Sequence, residues 1–198
     1  ESSTMEEAIN TAALALAVGK DAHLDDLLQE YGIDKVLGEI FSSTEDEYAA
    51  KAETVAKAAL RSPACLDLTT APESIPKWAA AVSNSSARRI QLLALQALEH
   101  LVLSFRQAGQ LAAPDNSLLP AVANTLSEED TGVASAAACT IRAMCISHGG
   151  DPERVLALVQ NVFASFQAQL SSAAEADGML PSRVQDLALR IAGDSSAG

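Results

Sequence analysis

Aromatic residues make up only 4% of this 198-residue chain, and Trp78 is its one tryptophan. Long stretches of strand signal are also missing, which leaves thin helices packed closely through small side chains as the expected core. Basic residues are few: 13 Lys and Arg stand against 26 Asp and Glu, for a net charge of −13. A surface of that sign repels phosphates, so direct nucleic-acid binding is not expected. The longest apolar run, Ala12 to Val18, falls far short of the roughly 20 residues of a membrane span. Acidic residues precede it, which excludes a secretory signal. Cys65, Cys139 and Cys145 are odd in number and lack CxxC spacing, so they read as reduced core thiols of a cytoplasmic or nuclear protein.

Catalytic signatures are absent as well. No GxSxG, GxGxxG or GxxxxGK[ST] occurs, and His23, His100 and His148 show no HExxH spacing. Cys139 and Cys145 are six apart without a histidine ligand beside them, so no metal site, cofactor or catalytic residue is expected. The Gly149-Gly150 pair after His148 reads as a helix stop, and Asp25-Asp26 and Glu128-Glu129 as solvated helix starts.

What the chain does have is a recurring pattern. Tyr48, Ile90 and Val133 stand 42 and then 43 residues apart. Each is followed at +4 by alanine (Ala52, Ala94, Ala137) and at +8 and +11 by small or apolar residues: Ala56 and Ala59, Leu98 and Leu101, Ile141 and Met144. Those offsets mark one face of a helix. A looser copy begins at Val184. Helical units repeating every 40 to 47 residues signal an armadillo- or HEAT-like right-handed solenoid, here of about four repeats in one all-α domain.

The units run over about 32–62, 63–107, 110–148 and 151–193, after 31 N-terminal helical residues. Thr4-Met5-Glu6-Glu7 reads as a capping box for a helix to about Val18, and Asp21 as the cap of a second ending at Gly32. Ser62-Pro63 closes the first long helix, Pro76 sits in the first turn of another, and Asn84-Ser85-Ser86 and Ser127 to Asp130 are turns. Ser171 to Pro181 is expected to be a mobile loop. The chain opens at Glu1 rather than methionine and no terminal cap follows the fourth unit, so an N-terminal fragment of a longer solenoid is expected.

Gly32-Ile33-Asp34-Lys35-Val36-Leu37, Ser74-Ile75-Pro76-Lys77-Trp78 and Ser117-Leu118-Leu119-Pro120-Ala121-Val122 resemble the start of the second helix of armadillo repeats. Ser83 to Leu101 and Ser127 to Met144 resemble their turn and third helix. The resemblance covers 32–147 well and 153–192 loosely, and it implies binding along the concave surface lined by the third helices. The nuclear-import branch of the family carries Trp at +6 and Asn at +10 there. The matching positions here are Thr54 and Ala58, Gln96 and His100, Cys139 and Ala143, Arg190 and Asp194, so the peptide-clamping ladder of import receptors is absent.

A narrower resemblance is to the armadillo/HEAT assembly chaperones of the 26S proteasome, the non-ATPase regulatory subunit five family. It rests on Phe41-Ser42-Ser43-Thr44-Glu45-Asp46-Glu47-Tyr48 and on Leu126-Ser127-Glu128-Glu129-Asp130-Thr131-Gly132-Val133-Ala134. It implies a non-catalytic, monomeric scaffold that grips the C-terminal domain of one ATPase subunit during assembly. The alternatives are an armadillo-type nucleotide-exchange factor for a 70-kDa heat-shock chaperone and a regulatory subunit of an enzyme. Gln96, His100, Arg142 and Arg190 fall away from the packed stripe and are the expected partner-binding residues.

Three further readings concern charge and core. Residues 1–53 hold 13 acidic and 3 basic side chains, so a partner meeting that end is expected to be basic. Trp78 is expected in the core, and Arg88 and Arg89 are expected to pair with neighbouring acidic turns. Ser43 and Ser127 combine a capping pattern with the pattern of an acid-directed kinase site.

Overall fold

A polypeptide rich in alanine and leucine, punctuated by glycine and proline, satisfies its backbone most simply by short helices with sharp stops. The structure, a computed structural model, describes residues 2–43, 46–69, 73–104, 118–126 and 128–147, together with position 164. Among the described residues there are eight α-helices and no strand. They are α1 (Ser2–Ala17), α2 (Ala22–Tyr31), α3 (Ile33–Ser42), α4 (Asp46–Arg61), α5 (Ile75–Ser83), α6 (Arg88–Ser104), α7 (Leu118–Thr125) and α8 (Thr131–Ser147). Short 3-10 helices at Pro63–Thr69 and Ser85–Ala87 lead out of α4 and into α6. None of the described helices is long and apolar enough to cross a membrane.

Local chemistry explains the stops. Gly32 has φ of 80°, a conformation that favours glycine, and its N–H donates to the Leu28 carbonyl at 3.0 Å, closing α2 before α3 begins. Pro76 lies in the first turn of α5, where its missing N–H costs nothing. The Asn84 side chain accepts from the Ser86 N–H at 3.1 Å and shapes the turn before α6. Two capping expectations are corrected. The helix runs from Ser2 straight through Thr4, so no capping box opens there. Asp21 does precede α2, but its side chain makes no capping hydrogen bond, and the Asp21 carbonyl receives the Leu24 and Asp25 N–H groups instead.

The helices stand in two rows. α1, α4, α6 and α8 lie side by side in that order, with the α6–α8 contact the most extensive, while α3, α5 and α7 form a second row. Members of the two rows pack as pairs, α3 on α4, α5 on α6 and α7 on α8, and α2 closes on α1 and α3. The first row meets through small side chains. Ala52, Ala56 and Ala59 on α4, Ala94 and Ala97 on α6, and Ala137 on α8 are fully buried. With only a methyl group between backbones, neighbouring helix axes approach to roughly 8–10 Å.

The bulkiest fully buried side chain stands in the second row. Trp78 is fully buried on α5, as expected, and its ring meets Phe41 of α3 edge-on, with centroids 4.9 Å apart and planes at 89°. Such a pair contributes about 0.5–1.5 kcal/mol beyond the area it buries. Nearby, α3 and α5 approach so closely that a Cβ on Gly38 would sit 3.0 Å from the Ser74 Cβ. The fourth unit and the loop expected at Ser171 to Pro181 lie outside the described residues.

This packing generates a stability prediction. Ala94→Phe or Ala137→Phe should destabilise the chain by about 1–3 kcal/mol through overpacking between α4, α6 and α8. Denaturant titration followed by circular dichroism measures it, with the exposed Gln96→Phe as a near-neutral reference.

Candidate interaction clefts

Polar groups stitch successive helix pairs together at a nearly constant chain separation. Asp34 in the first turn of α3 accepts from the Ser74 hydroxyl, and from the Ser74 N–H at 3.3 Å, across 40 residues. The Val82 carbonyl, in the last turn of α5, accepts from Gln91 Nε2 at 2.8 Å and lies 3.3 Å from Thr125 Oγ1, 43 residues on, whose shorter bond is to the Ala121 carbonyl at 2.7 Å. Thr140 Oγ1 shares its proton between the Leu95 carbonyl at 3.0 Å, across 45 residues, and the Ala136 carbonyl of its own helix at 2.9 Å. Gln91, Thr125 and Thr140 are all buried, and a buried polar group left unpaired would cost about 1–3 kcal/mol. The register between pairs is therefore specified by hydrogen bonds as well as by packing.

Asp130 shows the same economy at the surface. It precedes α8, where its Oδ1 accepts from the N–H groups of Gly132 at 2.9 Å and Val133 at 3.0 Å. Its carboxylate also pairs with Arg88, 42 residues earlier at the start of α6. The Arg88 hydrogen bond and these backbone donors hold the Asp130 carboxyl down at about 2. Arg88 thus meets an acidic turn as expected. Arg89 instead pairs with Glu53 of α4 at 3.2 Å, and Glu53 also takes Lys57 at 2.5 Å.

The expected binding residues divide as follows. Gln96, His100 and Arg142 are exposed on the side of α6 and α8 away from the second row, and Arg190 lies outside the described residues. Gln96 and His100 line a cleft of about 180 Å³ between α4 and α6, with Lys57 and Arg61 beside them and Leu60 and Leu93 in its floor. Arg142 lines a second cleft of about 260 Å³ between α6 and α8, with Glu99, Leu103, Cys139 and Ala143. Helix α6 is the wall the two share.

His100 is more than an exposed polar residue. Its Nε2 lies 3.2 Å from the Leu60 carbonyl in the last turn of α4. A carbonyl only accepts, so Nε2 carries the hydrogen and Nδ1 is left as an acceptor in the cleft when the ring is neutral. The imidazole ties α6 to the end of α4. Cys139 corrects another expectation: it is half-exposed in the second cleft, whereas Cys65 is buried and its thiol is pushed up to about 11 by burial. The Cys145 side chain lies outside the described residues.

Sequence reasoning missed Lys57, Arg61, Glu99 and Leu103, although a signal was available. They occupy offsets +9 and +13 from Tyr48 and Ile90, continuing the +6 and +10 positions along the same helix face. Glu99 is half-buried, and that burial raises its carboxyl above the usual range. It enters no ion pair, and neither do Arg61 or Arg142 among the described residues. No group of three or more His, Cys, Asp or Glu able to hold a metal ion occurs among the described residues. Set against protein-family models, curated proteins and solved structures, the chain has no match in any of the three comparisons.

Two predictions follow from these contacts. His100→Ala should lower stability by about 0.5–1.5 kcal/mol through loss of the Leu60 bond, while Gln96→Ala should change it by less than about 0.5 kcal/mol. Paired denaturant melts decide this. For Asp130, a native pKa below the ordinary 3.8 means that the charged form stabilises the fold above that value. The contribution is lost as pH falls from about 3.8 towards about 2. Asp130→Asn should therefore lower the thermal midpoint at pH 7 and leave a smaller further loss across that acid window.

Proposed function

We propose that this chain is an armadillo/HEAT-type solenoid and works as a non-catalytic scaffold for protein–protein interaction. In its most specific form it is an assembly chaperone that holds the C-terminal domain of an ATPase subunit of the 26S proteasome regulatory particle. The observation that carries this reading is the order α1, α4, α6, α8 in one row, with side-chain bonds spanning 40 to 45 residues and adjoining clefts on the row's open side. A row of helices buries one long edge in its partner row and leaves the other continuous and free to contact a partner. The motif resemblance at Phe41 to Tyr48 and Leu126 to Ala134 supplies the choice of partner.

The clefts fit this role physically. They are shallow and small, suited to single side chains of an opposing surface. Specific protein complexes need roughly 600–1,000 Å² per partner, which a surface crossing several helices supplies and one pocket does not.

The test uses the purified chain as bait for separately purified proteasomal ATPase subunits, with co-elution in size-exclusion chromatography as readout. One subunit should co-elute through its C-terminal domain, and mature proteasome should not. Failure to bind any of them, or acceleration of nucleotide release from a 70-kDa heat-shock chaperone, would replace this reading with the co-chaperone alternative or remove both.

A further inference from the structure

Charge on this molecule is segregated along the chain. α1, α2 and α3 carry Glu6, Glu7, Asp25, Asp26, Glu30, Asp34 and Glu39 against Lys35 alone. In α4, α6 and α8 the balance reverses: six basic residues stand against four acidic ones, two of which open α4 at Asp46 and Glu47. Those three helices are thus net positive in a chain of net charge −13. Two of these acids are accounted for: Glu53 holds both Lys57 and Arg89, and Glu99 is half-buried with its carboxyl raised. The free charges at the clefts are Arg61 in the first and Arg142 in the second.

We propose that the cleft-bearing side of α4, α6 and α8 receives an extended protein segment in which two acidic residues flank apolar ones at alternate positions, so that all of them face the helices. This deepens the scaffold reading and rests on it. Arg61 and Arg142 take the two outer carboxylates, and the guanidinium fork suits them because it binds a carboxylate through two parallel hydrogen bonds. Between them, Leu103 is a large apolar side chain left 55% exposed at the cleft shared with Glu99. An apolar side chain seats there, because a third carboxylate would face Glu99. Helices α4 and α8 are two interaxial steps apart, about 16–20 Å, which an extended segment of about six residues spans.

Two other occupants fit less well. At the clefts a basic segment would meet Arg61 and Arg142 and, as its one unpaired acid among the described residues, the half-buried Glu99. Single-stranded nucleic acid needs aromatic platforms for its bases, and the one aromatic residue on these three helices, Tyr48, is buried. The acidic remainder of the molecule also repels a polyphosphate chain.

Fluorescence anisotropy on the full chain with a fluorescein-labelled Glu-Ser-Leu-Ser-Leu-Ser-Glu peptide tests the inference, with the corresponding Lys-Leu peptide, in which Lys replaces each Glu, and a single-stranded oligothymidylate as competitors. The acidic peptide should bind and weaken as salt rises past about 0.15 M, where the Debye length is about 8 Å. Arg61→Gln with Arg142→Gln should weaken it about tenfold or more at an unchanged thermal midpoint, and Glu99→Gln should tighten it. Tighter binding of the Lys-Leu peptide or the oligonucleotide, no binding of the acidic peptide, or an unchanged affinity in the double variant would overturn the proposal. A proteasomal ATPase subunit that co-elutes equally with wild-type and double-variant chain would leave the scaffold reading in place and remove this one.

Discussion

The close approach of α4, α6 and α8 through alanine is the constraint on which the rest of this structure depends. Ala52, Ala94 and Ala137 are fully buried on these helices. A larger side chain at any of them would separate the helices and break the cross-helix bonds that need them near. Thr140 reaches the Leu95 carbonyl because α8 lies directly against α6, and His100 reaches the Leu60 carbonyl because α6 lies against the end of α4. Packing and hydrogen bonding are thus one system. The small residues set the distance, and the polar ones select the register at that distance.

The clefts are a consequence of the same arrangement. Two helices packed through small residues diverge on their outer sides, where longer side chains project, and a furrow runs between them. Its floor is apolar because Leu60 and Leu93 are exposed only at their edges, and its rim is polar because Gln96, His100 and Arg61 point outward. The side that carries the clefts is therefore positioned by the side that is buried, on opposite faces of the same helices.

Electrostatics adds an asymmetry that total charge conceals. A chain of −13 looks like a partner for basic surfaces, and its N-terminal 53 residues support that impression. The cleft-bearing helices α4, α6 and α8 have the opposite local balance, and Glu53 pairs with two neighbouring cations. Long-range attraction responds to the whole charge, whereas contacts at the clefts respond to the local balance there, so the two involve different parts of the surface.

The helical class, the buried stripe and the burial of Trp78 were legible in the sequence. Periodicity is a local property: an apolar residue every three or four positions faces one side of a helix whatever that helix packs against. The outward face was legible for the same reason, which is why Gln96, His100 and Arg142 were found and the +9 and +13 positions Lys57, Arg61, Glu99 and Leu103 could have been. Capping was less legible. Thr4 and Asp130 are both residue types that cap helices, yet the helix runs through Thr4 and starts after Asp130, whose carboxylate accepts from the Gly132 and Val133 N–H groups. Only the tertiary structure decided that His100 binds the Leu60 carbonyl, that Asp34 caps the start of α5 through Ser74, and that Cys139 opens to a cleft while Cys65 does not. Each of these depends on which atom of a neighbouring helix lies within about 3 Å, a register set by alanine packing between residues some 40 positions apart, and local pattern carries no record of it.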